Sequence, residues 1–144
     1  MQQISDLTSA DRYELCLHCG EALGTTATKD HVPSRGLLTA PYPENLPTVD
    51  ICAECNSGFS KDEEYFFTLL GCVLSGSADP DDQSDLRIAE RLRRSPELAR
   101  RIADQQIPTL PIDGETVWWK PESVRIHNVV VKNARGHVMH ETGV

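Results

Sequence analysis

The sequence has no uninterrupted apolar run approaching the roughly 18 residues that a membrane-spanning helix needs, so no membrane span is expected. It is also short of positive charge. Lys and Arg number 14 against 22 Asp and Glu, for a net charge of −8. A protein that holds nucleic acid by bulk electrostatics alone needs Lys and Arg for the phosphates, so that class is excluded. An enzyme that meets phosphate through a metal ion is not. The opening MQQISDLTSADRYE lacks a basic segment followed by an apolar one. No secretory signal is expected, and the cytoplasm is the expected compartment. Internal repeats and low-complexity tracts are lacking too.

What is present suffices for one ordinary domain, or for a small domain with a helical extension. The 144 residues are 39% hydrophobic and 25% charged, which argues against disorder throughout. The charge is uneven. Residues 1–70 hold 11 acidic and 4 basic side chains. The basic groups cluster further on, at Arg87, Arg91, Arg93, Arg94, Arg100 and Arg101.

Five cysteines stand at 16, 19, 52, 55 and 72. Cys16-Leu-His-Cys19 and Cys52-Ala-Glu-Cys55 are two C-x-x-C pairs separated by 32 residues. Each pair can present two thiolates to one tetrahedral Zn²⁺. Gly20 suits the tight turn of the first knuckle. A pair of redox motifs is the weaker alternative, because the βαβ context of a thioredoxin-like site is missing. His18 is poorly spaced to serve as a competing ligand. Cys72 falls in an apolar helical stretch and reads as a buried small hydrophobe. Four thiolates close the coordination sphere, so the predicted zinc is structural.

Function must then lie in the insert between the knuckles. Its centre is Lys29-Asp30-His31-Val32-Pro33. Thr26-Ala27-Thr28 before it has strand-like composition, and Pro33, Ser34 and Gly36 after it are turn residues. Asp30 and His31 are thus predicted at the end of a short strand, on opposite faces or splayed at its end. A loop with Pro41, Pro43, Asn45 and Pro47 leads to a second strand at Thr48-Val49-Asp50-Ile51. Asn56 follows the second knuckle directly.

C-x-x-C, then Asp-His-x-Pro, then Asn-Leu, then C-x-x-C-Asn resembles the zinc-knuckle branch of the HNH endonuclease family. The resemblance covers residues 16 to about 65. Cys55-Asn56-Ser57-Gly58-Phe59-Ser60-Lys61-Asp62-Glu63-Glu64 and the Ala-Arg-Gly near residue 135 resemble a bacterial subset of that family. The resemblance implies a ββα-metal core that holds one Mg²⁺ or Mn²⁺. It makes His31 the general base, Asp30 a metal ligand and Asn56 the second metal ligand. Asn45 would orient the base. The implied activity is hydrolysis of DNA phosphodiester bonds. Two positions depart from the pattern: Asn56 stands where His is common, and Pro33 follows His31 at the second position rather than the third. Against the implied roles stand plainer ones: Asn45 as a turn cap and Asn56 as a helix cap.

Beyond the knuckles, Ser60-x-x-Glu63 reads as a capping box opening a helix over 61–75 that ends near Gly76. Phe66, Leu69, Leu70, Val73 and Leu74 are its predicted buried stripe. Asp62, Glu63 and Glu64 read as helix-dipole residues, with a metal-ligand role as the alternative. Helices are predicted over 85–94 and 96–106, with Ser95 as N-cap and Pro96 at N1. Their arginines read mainly as an exposed face, with nucleic-acid contact as the alternative. Segment 107–114 reads as a linker and 115–119 as a strand, while 122–140 is open between a strand, which Val129-Val130-Val131 favours, and a helix, which the Pro121-Glu122-Ser123 start and the family resemblance favour. His137 and His140 read as surface residues, with a metal site as the alternative.

The expected architecture is α+β. An HNH-like zinc-knuckle nuclease domain would span 1–75, and a mainly helical extension, a candidate truncation at Val144, would span 76–144. DNA is the expected partner. The acidic balance adds the expectation of a homodimer or a partner subunit. The rival readings are a non-catalytic zinc-stabilised module that binds nucleic acid or protein, and an RNA-directed nuclease.

Overall fold

The computed structural model describes residues 14–107 and 117–143. Most of the expected linker 107–114, and residues 115 and 116 of the expected strand, lie outside them. The described chain is mixed α+β, with four α-helices and two small antiparallel sheets. It divides into two compact units, residues 1–61 with 128–144, and residues 62–127. Tyr65, Leu69 and Cys72 pack with Ile88, Leu92 and Ile102 in the second unit, and residues 128–144 join the first.

In the first unit, residues 14–23 form the first knuckle. Leu15 bridges to Ala22, and the Gly20 N–H donates to the Cys16 carbonyl at 2.8 Å. Gly20 has φ +75°, a conformation that costs a side-chain-bearing residue steric strain. Strand β1 (Ala27–His31) pairs antiparallel with β2 (Thr48–Cys52), placing Asp30 opposite Val49 and His31 opposite Thr48. Both strands match the expectation to within a residue. Val49 and Ile51 are buried with Cys16, Leu23 and Val32. Burying one such aliphatic side chain is worth roughly 1.5–3 kcal/mol.

Helix α1 (Ala53–Ser75) starts directly after β2, not at 61. The reason is chemical: the Cys55 N–H donates to Cys52 Sγ at 3.3 Å, so the knuckle sulfur satisfies an orphan N–H of the first turn. Ser60 is therefore no cap, and its Oγ donates to the Ser57 carbonyl at 2.8 Å within the helix. Asn56 is likewise inside the first turns and caps nothing. The helix ends as expected at Gly76 (φ +73°), with the Ser77 N–H on the Cys72 carbonyl at 3.1 Å.

In the second unit, the rest of α1 packs with α2 (Leu86–Arg94) and α3 (Pro96–Ala103). The Ser95 side chain accepts the Leu98 N–H, with Pro96 opening α3, as expected. The buried residues of α1 are Tyr65, Phe67, Thr68, Leu69 and Cys72, of which Tyr65, Leu69 and Cys72 join this core, whereas Leu70, Val73 and Leu74 are exposed. A count of apolar letters passed over Tyr65, whose hydroxyl donates to Gln105 Oε1 at 2.7 Å and accepts the Glu122 N–H at 2.8 Å. Helix α3 stops at Ala103 because Gln106 and Ile107 form strand β3, paired with β4 (Trp118–Trp119). Helix α4 (Ser123–Thr142) confirms the helical choice for the C-terminal stretch.

Candidate functional site

The four knuckle cysteines come together. The sulfurs of Cys16, Cys19, Cys52 and Cys55 all lie within 4.8 Å of one another, positioned to hold a metal ion. Cys19 Sγ and Cys52 Sγ are 3.8 Å apart. A tetrahedral zinc with bonds of about 2.3 Å sets its sulfurs about 3.8 Å apart, so the spacing fits that ion. The electrostatics agree. Burial opposes ionisation of Cys16, but N–H groups of Cys52, Cys19 and His18 outweigh it and bring the thiol down to about 6. Burial and the neighbouring sulfurs push Cys55 up. Crowded thiols resist ionising together unless a cation balances them. His18 does not join the cluster. Its ring stands edge-on to Phe59 with centroids 4.7 Å apart, and both ring nitrogens are buried without a hydrogen-bond partner among the described residues.

Beside the knuckles, the hairpin carries Asp30 and His31. Residues facing each other across an antiparallel pair share a face. Asp30 therefore lies on the face of buried Val49, and Thr28, opposite buried Ile51, lies on that face too. Asn56 Nδ2 donates to Thr28 Oγ1 at 3.2 Å, and Thr28 Oγ1 donates to the Ile51 carbonyl at 3.1 Å. So the start of α1 covers the face that bears Asp30. The amide nitrogen is committed, and Asn56 Oδ1 is the atom it can offer to a cation.

His31 takes the opposite face, with Lys29 and Asp50, whose side chains form an ion pair at 2.7 Å. The imidazole is half-buried and makes no hydrogen bond among the described residues. Partial burial holds it below its ordinary value. Arg35 and Lys132 act in the same sense, and Asp30 opposes them. A neutral ring at pH 7 has a lone pair to accept a proton.

Asn45 is not drawn in. It is exposed in the turn closed by the Leu46 N–H on the Pro43 carbonyl at 3.2 Å, and its side chain makes no hydrogen bond among the described residues. Asp62 and Glu64 lie inside α1, too far along for the helix-dipole role expected of them. Asp62 pairs with Arg125 at 2.8 Å and Glu64 with Arg94 at 3.6 Å. Four of the clustered cationic side chains, Arg87, Arg93, Arg94 and Arg101, are paired with carboxylates. His137 and His140 are exposed and belong to no metal-ligating cluster among the described residues.

Sequence reasoning missed the partner of Asp30. Lys132, on α4, is 1% exposed at its side chain, and its Nζ donates to Asp30 Oδ1 at 2.7 Å and to Ser34 Oγ at 3.0 Å. The signal was present as a lysine on the helix face that also carries buried Val129 and Gly136. Asn133 supports the pair, accepting both the Ser34 N–H at 2.8 Å and its hydroxyl at 3.2 Å. Asp30 carries a carboxylate and Asn56 an amide oxygen, donor types of the hardness that suits Mg²⁺ or Mn²⁺, but the Asp30 carboxylate is already paired with Lys132. Comparison with known protein families, curated proteins and solved structures finds no match for this chain.

Proposed function

We propose that the chain is an endonuclease of the HNH kind that hydrolyses DNA phosphodiester bonds, with its fold stapled by zinc on the four cysteines. The observation that carries this reading is the Asn56–Thr28 hydrogen bond beside Asp30. It puts the Asn56 amide on the face of β1 that bears Asp30, and β1 ends at His31. Hydrolysis needs a proton acceptor for water and positive charge for phosphate. His31 takes the proton as the water oxygen bonds to phosphorus and the bond to the 3′ oxygen breaks. Asp30 and Asn56 would hold Mg²⁺ or Mn²⁺, which would supply positive charge to offset that on the phosphate and leaving oxygens. The resemblance in the sequence supports the same roles. The acidic balance supports delivery of substrate by a partner subunit or a second copy of the chain. Tight DNA binding by the isolated chain at physiological salt argues against that.

The test is cleavage of labelled duplex DNA, single-stranded DNA and RNA by the zinc-loaded protein and by His31→Ala. DNA cleavage lost in the variant supports the reading. RNA cleavage alone makes it an RNA-directed nuclease. A second reading, a non-catalytic zinc-stabilised module for nucleic acid or protein, is favoured by one observation: the carboxylate of Asp30 already has a cation, Lys132. That reading predicts no cleavage of any substrate, with the fold intact.

A further inference from the structure

A lysine ammonium is rarely taken out of water, and Lys132 is buried for a definable purpose. Two hydrogen bonds anchor its ammonium. Its Nζ reaches Asp30 Oδ1 at 2.7 Å, and it donates to Ser34 Oγ at 3.0 Å. Ser34 passes its own hydroxyl hydrogen to Asn133, whose amide nitrogen donates to the Val129 carbonyl at 2.9 Å. The donors and acceptors run in one direction, from ammonium to hydroxyl to amide. The helix that delivers the ammonium is seated tightly. A Cβ at Gly136 would come within 2.8 Å of Val32 Cγ2.

From this geometry we infer that Lys132 is the resident counter-cation of Asp30 and competes with a divalent ion for it. The inference rests on the reading of Asp30 as a cation ligand. The charge balance carries it further. One carboxylate and one ammonium are neutral together. A dication added beside them leaves two uncompensated positive charges in a partly buried site, which is costly. Among the described residues, Asp30 belongs to no group of three or more His, Cys, Asp or Glu side chains that could hold a metal ion. The dication therefore enters by exchange: the ammonium leaves Oδ1 for solvent as the metal takes the carboxylate. At rest, the C-terminal helix keeps the site closed to metal.

The probe is Mn²⁺, titrated by electron paramagnetic resonance into the full zinc-loaded chain. Lys132→Gln is expected to bind Mn²⁺ about tenfold more tightly than the parent. Adding Asp30→Asn to it should return the affinity to the level of weak surface sites. Equal affinity in the parent and in Lys132→Gln overturns the inference. Because Gln leaves Asp30 buried without its ion pair and can unfold the hairpin, a second measurement uses the unaltered chain. Acetylation of Lys132 by an amine-selective reagent is read by peptide mass spectrometry with and without Mn²⁺. The amine should be protected without the metal and modified several-fold faster with it. Protection unchanged at saturating Mn²⁺ overturns the inference. Neither readout uses cleavage. A nuclease activity that survives His31→Ala would sink the functional reading alone and leave the exchange result standing.

Discussion

At the scale of single residues, the chemistry turns on which face of β1 each side chain takes. Asp30 and His31 are neighbours in sequence, yet Asp30 turns towards the helices and His31 away from them. Alternation along a strand made that legible in advance. Lys132 was not legible, because no local rule assigns a partner 102 residues away. The His31 ring gives a pH test. Burial and the Arg35 cation disfavour its protonated form, Lys132 adds to them, and Asp30 opposes. A base must be neutral to act, so cleavage should rise with pH to an inflection below about 6.5, the ordinary histidine value, and then level off. Arg35→Gln removes a cation that resists protonation, so the inflection should move to higher pH. A pH–rate profile of the two proteins checks this; an unmoved inflection separates Arg35 from the base.

Among the elements, helix α1 shows how much local signals can mislead. Ser60-x-x-Glu63 has the letters of a capping box, but the helix was already under way, started by the sulfur of Cys52. A metal-ligand cysteine acting as helix cap is invisible to cap preferences drawn from hydroxyl and carboxylate side chains. The end of α1 at Gly76 was legible, because a left-handed glycine is a local requirement. Helix α4 depends on Gly136 for its close approach to Val32. In Gly136→Ala, overpacking costs about 1–3 kcal/mol and exceeds the helix-propensity gain of at most about 1 kcal/mol. Denaturant unfolding should show net destabilisation, partly reversed by Val32→Ala, and no reversal would place the cost elsewhere. The start of α4 carries Glu122. Burial raises its carboxyl, but Arg101 and Arg125 outweigh burial and hold it low. Its contribution is present above the ordinary carboxyl value of about 4.3 and is lost as pH falls through the lower folded value. Glu122→Gln should therefore lose about 1 kcal/mol at pH 7 relative to the parent, with the gap closing as pH falls through the lowered folded value. A gap that persists in acid would point to packing rather than charge.

For the whole molecule, the division into two units was the least legible feature. Hydropathy along the chain does not reveal that residues 128–144 rejoin the first unit. The four-cysteine cluster was the most legible, since paired C-x-x-C spacing requires only two local knuckles meeting at one ion. The two units hold separate cores, and only the first contains the four clustered cysteines. Metal binding at such sites is worth on the order of 10 kcal/mol of folding free energy. Chelation should therefore abolish amide-exchange protection in residues 27–52 while protection persists in α2 and α3. Uniform loss across the chain would show that zinc stabilises both units.

The measurement closest to the central claim is nicking of supercoiled plasmid by the zinc-loaded protein in Mg²⁺, Mn²⁺ or EDTA, beside His31→Ala. The account predicts nicking that needs the divalent ion and falls by at least about a hundredfold in the variant. Equal cleavage by both proteins, or none by either with zinc bound and the hairpin folded, would contradict it.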